Sequence, residues 1–380
     1  MQVEKLSNTL DIKRTLKELG VDSGGVAIMT AKAQHHILFI RSLHVGAANI
    51  LKQDALSIGA DLAVPRGTVI AATKEVDCIL IATQRQLELL GKKEAAQPFG
   101  LKELAKELQK IASIQKPWHV ALMGVLNAND DSFFAASRFS EKNALEKLHA
   151  MIEEGADIID IGGVSSRPNS LYVGEDEELR RLRDILDVIR THRLYERVRF
   201  SLDSYAPKVI EQALESGFNI VNDITGLEND EVCKLCARYD ATAVIMHMQG
   251  SPQTMQQNPE YRSILSDIGD FFEQRISKAE SFGVKNIVLD VGIGFGKTLE
   301  HNLMLLKHHE HFMKFNKPLL VGASRKSMID AIVPSRIEER LPGTLAIHLE
   351  AVRNGASIIR AHDVKEHYQA LQVQKAIHSI

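Results

Sequence analysis

Ile158-Ile159-Asp160-Ile161-Gly162 is a short apolar run broken by one carboxylate, and it lies between the longer amphipathic stretches Asn143–Glu154 and Glu177–Thr191. A run this short between helix-length segments reads as a strand buried on both faces, as in a parallel sheet covered by helices. The same pattern recurs at His119–Leu126, Val198–Leu202, Asn219–Asn222, Ala241–Met246, Asn286–Leu289, Pro318–Val321 and Ser357–Arg360. Further helical stretches fall between the runs, among them Ala206–Ser216 and Leu299–Lys314. Eight strand–helix units in roughly 265 residues match the size and order of a (β/α)8 TIM barrel.

Nearly every run ends on a polar side chain. In order they are Asn127, Asp160, Asp203, Asn222, His247, Asp290, the trio Ser324-Arg325-Lys326, and Arg360 with His362. In a barrel these ends meet on one face, where active sites are built. A merely structural barrel would scatter its charges over the outer helices, so the pattern points to a catalytic barrel.

The chain upstream is less regular. A helical stretch from Asp11 to Leu19 ends at Gly20, short apolar runs follow at Gly25–Met29 and Ile37–Ile40, Ala47–Ile58 reads as a helix, and Cys78–Thr83 as another strand. Gly100–Ile111 is an amphipathic helix with Leu101, Leu104, Leu108 and Ile111 on one side, and Lys116-Pro117 breaks the pattern. These features predict an N-terminal α/β accessory domain of unassigned role over residues 1–115 and the barrel over 116–380.

Bulk composition narrows the partners. Hydrophobic residues make up 44% and charged residues 25% of the 380, with a net charge of -3. That is ordinary globular composition, with no bias toward nucleic acid or an anionic membrane. Three cysteines, Cys78, Cys233 and Cys236, are too few for a disulfide framework and favour a cytoplasmic protein. Neither a signal peptide nor an apolar run of about 18 residues is evident, so no membrane role is expected.

The strand-end residues divide into acids and amides (Asn127, Asp160, Asp203, Asn222, Asp290) and cations (Arg167, Lys326, Arg360, His362). Carboxylates and amides can pair with the N–H and C=O edge of a planar heterocycle, while Arg and His can hold phosphate oxygens. No nucleophile elbow and no zinc motif accompanies them.

From about Trp118 to Val373 the sequence resembles the dihydropteroate synthases. The resemblance rests on eight segments in order: Met123–Phe133, Gly155–Pro168, Ser201–Tyr205, Ile220–Gly226, Met246–Pro252, Leu289–Thr298, Gly322–Ser327 and Ile359–Val364. It implies the joining of 6-hydroxymethyl-7,8-dihydropterin diphosphate to 4-aminobenzoate, with release of pyrophosphate.

The same resemblance implies residue roles. Asp290 and Asn222 would take the pterin edge, and Asp203 would sit by the ring nitrogens. Lys326 and Phe295 would line the pterin and aminobenzoate slots, and Arg360 would stack on the ring and face the diphosphate. Asn127, His362 and Arg167 would hold the diphosphate, with Mg2+ as cofactor beside Asn127. Ser166, Pro168 and Ser327 would shape the aminobenzoate site. A homodimer is expected on the same ground.

The sequence departs from the family pattern in the first loop, where Asn129-Asp130 and Phe134–Phe139 replace a Thr-Pro or Ser-Pro and a glycine-rich tail. Val164 stands where a Glu is usual. The rival readings are a methyl-transfer enzyme sharing the pterin pocket and a non-catalytic pterin-binding protein.

Other motifs read as structural. Gly292-x-Gly294-x-Gly296-Lys297 lacks the leading glycine of a phosphate-binding loop, since Val291 stands there. Cys233-x-x-Cys236 is expected to be a buried thiol pair. His308–His311 is expected on a solvated exterior helix and His35-His36 in a structural role. His247 is expected to orient a neighbour, and Asp160 either joins the site or braces its loops.

Overall fold

The computed structural model describes all 380 residues except 8–9, 115, 117–118, 129–140, 165–171, 251–252, 256–257 and 379–380. Two compact units emerge, Met1–Gln115 with Lys375–Ile380, and Lys116–Gln374.

The first unit is a three-stranded antiparallel sheet in the order β1-β3-β2, formed by β1 (His35–His44), β2 (Asp61–Ala63) and β3 (Glu75–Thr83). Helices α1 (Ile12–Glu18) and α2 (Ser23–Ala33) precede it. Helix α3 (Val45–Ser57) follows β1, and α4 (Gln84–Lys93) and α5 (Leu101–Ala112) follow β3. Strand β3 alternates strictly, burying Val76, Cys78, Leu80 and Ala82. These side chains join Leu51, Leu87, Leu90, Leu101 and Leu108 in one core. The run Gly25–Met29 is not a separate element. It lies inside α2, where the Asp22 carboxylate caps the first turn by accepting from Gly25 N at 2.8 Å.

The second unit is a closed barrel of eight parallel strands: β4 (Ala121–Asn127), β5 (Ile158–Gly162), β6 (Arg199–Asp203), β7 (Ile220–Asp223), β8 (Thr242–Met246), β9 (Asn286–Asp290), β10 (Leu319–Val321) and β11 (Ile358–Ala361). All eight predicted strands are present, most displaced by one or two residues. The intervening helices are α6 (Glu141–Glu153), α7 (Glu175–Thr191), α8 (Pro207–Glu215), α9 (Asp230–Arg238), α10 (Ile264–Ser281), α11 (Leu299–Lys307), α12 (Ser327–Ile332), α13 (Leu341–Arg353) and α14 (Val364–His378). The barrel predicted to run to residue 380 ends as a compact unit at Gln374, inside α14.

The strand period of two carries the barrel's interior from apolar to polar along each strand. Met123, Ile158, Ile220, Val244, Val288, Leu320 and Ile358 fill its centre. Two residues beyond four of these, on the same face, stand Asp160, Asn222, Asp290 and Arg360. The alternate residues, such as Ile159, Phe200, Val221 and Leu289, are also buried, because the helices cover the outside.

Cys233 and Cys236 are buried free thiols on α9, as expected. His308–His311 departs from its expected solvated face. His309 is fully buried, and burial pushes its imidazole down to about 4. The segment tightens into a 3-10 turn over His309–Phe315, which carries His309 inward beside Phe312.

Candidate active site

Strand ends set the site. Asp160 ends β5's inward set, Asp203 closes β6, Asn222 lies in β7, Asp290 closes β9 and Arg360 lies in β11. Arg360 bridges two of the acids. Its Nε lies 2.6 Å from Asp160 Oδ2, and its Nη2 lies 2.8 Å from Asp203 Oδ2. Asn222 Nδ2 donates to the same Asp160 oxygen at 3.2 Å.

Electrostatics follow from this geometry. Burial opposes the Arg360 charge, yet Asp160 and Asp203 outweigh it and hold the guanidinium above its ordinary range. Burial raises Asp203, partly countered by Arg360, and Asp160 adds to the rise through like-charge repulsion. Burial likewise raises Asp290. The mouth therefore holds carboxylates poised to accept hydrogen bonds or protons from a polar heterocycle.

Asp290 is aimed by the turn after β9. Gly292 N donates to Asp290 Oδ1 at 2.7 Å. Gly292 has φ +66°, and a Cβ there would stand 2.1 Å from the His247 carbonyl oxygen, so only glycine fits. Gly294 and Gly296 also have positive φ. The glycines thus serve a turn, as expected, and the Lys297 amine is spent on the protein's own groups. Its buried Nζ meets Phe295 O at 2.8 Å, His247 Nδ1 at 3.0 Å and His247 O at 3.2 Å. Burial holds His247 down at about 3 and Lys297 well below its usual range. His247 therefore orients a neighbour, Lys297, rather than facing the mouth's acids.

Lys326 stands at the N-terminal boundary of α12. Its Nζ donates to the Ile293 carbonyl and lies 4.4 Å from the centre of the Phe295 ring. Burial lowers it to about 8, against the pull of Asp290. His362 is exposed beyond β11, with Nδ1 3.0 Å from Ser324 Oγ. Asn127 ends β4 half-buried, and Ser327 is exposed at the first turn of α12.

Asp203, Asn222 and Arg360 are thus joined in one network. Lys326, Phe295 and Asp290 come together at the neighbouring strand ends. Asn127, His362 and Ser327 stand at the ends of their elements, His362 against Ser324. Ser166, Arg167, Pro168 and the first loop at 129–140 lie outside the described residues. Asp160, which the sequence left between two roles, is the hub. It is fully buried and holds both Arg360 and Asn222. Its position two residues after the inward Ile158 was the available signal.

The geometry has close relatives. Residues 123–362 match the model of the family described as pterin binding enzyme. A Helicobacter pylori protein called bifunctional dihydropteroate synthase/dihydropteroate reductase is 40% identical over 375 residues, covering 99% of each chain. Among solved structures, the Yersinia pestis dihydropteroate synthase with a sulfonamide drug is 35% identical with a TM-score of 0.64, covering 69% of this chain and 94% of that one. The Thermus thermophilus dihydropteroate synthase in complex with 4-aminobenzoate is 39% identical with a TM-score of 0.61, covering 68% of this chain and 95% of that one.

Proposed function

Because the chain belongs to the pterin-binding enzyme family, among its dihydropteroate synthases, we propose that its barrel mouth condenses 6-hydroxymethyl-7,8-dihydropterin diphosphate with 4-aminobenzoate to give 7,8-dihydropteroate and pyrophosphate. The carrying observation is the Asp160–Arg360–Asp203 bridge beside Asn222, Asp290 and Lys326 on one barrel face. This set offers carboxylate and amide acceptors for a heterocycle's N–H edge and cations for a leaving diphosphate.

In this reading Asp290 and Asn222 hold the pterin edge. The bond between the exocyclic carbon and the diphosphate oxygen breaks with its electron pair going to pyrophosphate. Asp203 stabilises the pterin cation that results, Lys326 lines the pterin and aminobenzoate slots, and Arg360 and His362 face the charge of the leaving group. The 4-aminobenzoate nitrogen then attacks the carbon, and its proton passes to pyrophosphate or water. No protein nucleophile is required.

Mg2+ belongs to the same proposal. Among the described residues no group of three His, Cys, Asp or Glu side chains could hold a metal, and Asn127 offers one amide oxygen. Such a donor set fits an ion carried by diphosphate oxygens and water, with Asn127 as its one protein ligand. When bound, the ion would neutralise diphosphate charge.

The test is direct: dihydropterin diphosphate, 4-aminobenzoate and Mg2+ are supplied, and dihydropteroate and pyrophosphate are measured. Turnover that collapses in Lys326→Ala, with pterin affinity lost in Asp290→Asn, supports the reading. Pterin binding without turnover favours the non-catalytic alternative, and methyl transfer would replace the reaction altogether.

A second activity follows from the full-length match to the H. pylori protein, which includes this chain's first unit. We propose that the whole chain also reduces dihydropteroate. Incubation with dihydropteroate and a reduced nicotinamide or flavin donor tests it, and a failure to form tetrahydropteroate with either donor removes it.

A further inference from the structure

Behind the barrel mouth two buried histidines meet in a place the proposed reaction does not use. His348 lies on α13 and His367 on α14, each about 1% exposed. His348 Nε2 lies 3.0 Å from the backbone nitrogen of Ala323. His348 Nδ1 lies 2.8 Å from His367 Nε2, and His367 Nδ1 lies 2.6 Å from the Asp363 carbonyl oxygen.

The two ends of this chain fix every proton in it. A backbone N–H can only donate, so His348 Nε2 accepts. A carbonyl can only accept, so His367 Nδ1 donates. The middle bond must then run from His348 Nδ1–H to His367 Nε2. Both rings are neutral, both carry their proton on Nδ1, and all four ring nitrogens are satisfied. A proton added to either ring would set a second donor against an existing one.

The chain also closes on itself. Ala323 belongs to the loop after β10, and Asp363 to the loop after β11. Arg325, two residues beyond Ala323, binds the Asp363 carboxylate through Nε at 3.0 Å and through Nη2. Thr344, one turn before His348 on α13, accepts from Arg325 N at 2.9 Å. Arg340 Nη1 donates to Arg325 O at 3.2 Å. Arg325 itself sits at φ +57°, a conformation that a non-glycine residue holds only when its surroundings impose it. The loops so tied adjoin Ser324 and Lys326 on one side and His362, with Arg360 at the end of β11, on the other.

We infer that His348 and His367 are a positioning pair: a proton-ordered bridge that fixes the spacing between Lys326 and the Arg360–His362 segment. The pair acts through these residues and touches no substrate. The inference rests on the proposed transfer reaction only for its kinetic consequence.

The experiment uses the full chain labelled with 15N at histidine. Long-range ring correlations should show two neutral, Nδ1-protonated rings that do not titrate between about pH 6 and about pH 8. His348→Leu removes both hydrogen bonds of the ring and should lower kcat/KM for the pterin diphosphate at least about tenfold. Pterin affinity should stay within about twofold, since Asp290 and Asn222 are untouched. His348→Gln, whose Oε1 can accept from Ala323 N, should recover most of the loss. Nε2-protonated or charged rings would overturn the bridge. Parental kinetics in His348→Leu, or equal damage in the Leu and Gln variants, would overturn its positioning role. Should His348→Leu fail to fold, the ring tautomers and the kcat/KM of His348→Gln decide. Should the parent show no turnover, the transfer reaction fails alone, and the pair is judged on its tautomers and on a tenfold weaker affinity of His348→Leu for inorganic pyrophosphate.

Discussion

Arg360 and Asp160 are 200 residues apart in sequence, and the barrel sets the guanidinium Nε 2.6 Å from the carboxylate Oδ2. Asp160 is fully buried and Arg360 is held on its other side by Asp203, so the pair is fixed at both ends. A cation clamped this way is pre-oriented before any anion arrives, which is the form that electrostatic stabilisation of a leaving group requires.

Loosening the clamp should therefore cost rate. Asp160→Asn keeps the shape and an acceptor oxygen but removes the charge from one of Arg360's two partners. We expect kcat/KM to fall about ten- to hundredfold, the range for one charged hydrogen bond. Steady-state kinetics with a circular-dichroism check of folding measures it, and an unchanged rate would show that the clamp contributes nothing to catalysis.

Lys326 gives a pH signature. Burial lowers its amine to about 8, so the cation disappears as pH rises through that value. Activity should fall on the alkaline side, and in Lys326→Arg the alkaline limb should move beyond the accessible range. Stability should respond with the opposite sign. Between about 8 and the unfolded value of 10.5 the unfolded chain binds more protons, so this residue's contribution to stability rises with pH. Kinetic profiles and urea melts of parent and Lys326→Met, run over the same pH range, separate the two.

Acid should destabilise the barrel through its buried imidazoles. His247 is pushed down to about 3 and His309 to about 4, both by burial. Below 6.5 the unfolded chain takes up protons that the folded chain refuses, so stability falls as pH falls. Each group contributes a slope of about 1.4 kcal/mol per pH unit in that window. His309→Phe should remove one such slope, and urea midpoints between about pH 6 and about pH 4.5 would show it.

Lys297 should prove structural. Lys297→Met keeps the apolar stem but leaves two carbonyls and the His247 ring without their donor. A loss of about 2–4 kcal/mol is expected, with the pterin KM little changed once the variant is folded. A selective rise in KM at full stability would place Lys297 in the substrate site.

Gly292→Ala should be worse still, because its Cβ would meet the His247 carbonyl at 2.1 Å with a positive φ. Insoluble protein, or a melting temperature lowered by more than ten degrees, is the expected result; near-parental melting would show that the turn after β9 can rearrange.

Much of this protein was legible in one dimension. Eight short apolar runs separated by helix-length amphipathic stretches determine a (β/α)8 barrel, because a parallel strand must bury both faces and its return must be a helix. Polar residues at the run ends, Asp203, Asn222, Asp290 and Arg360, fall on one face, because all strands of a parallel barrel end on the same side. What sequence could not decide is which of those ends touch. Asp160 and Asp203 are alike as strand-end acids, yet closure of the barrel makes one a hub and leaves the other facing inward beside it. His309 reads as solvated because its helix is expected on the barrel exterior, and a local 3-10 turn buries it. His348 and His367 carry no motif at all. They become a pair only because α13 and α14 pack side by side behind the two loops, and contact between side chains that belong to different helices is a property of the packing, not of either segment's periodicity.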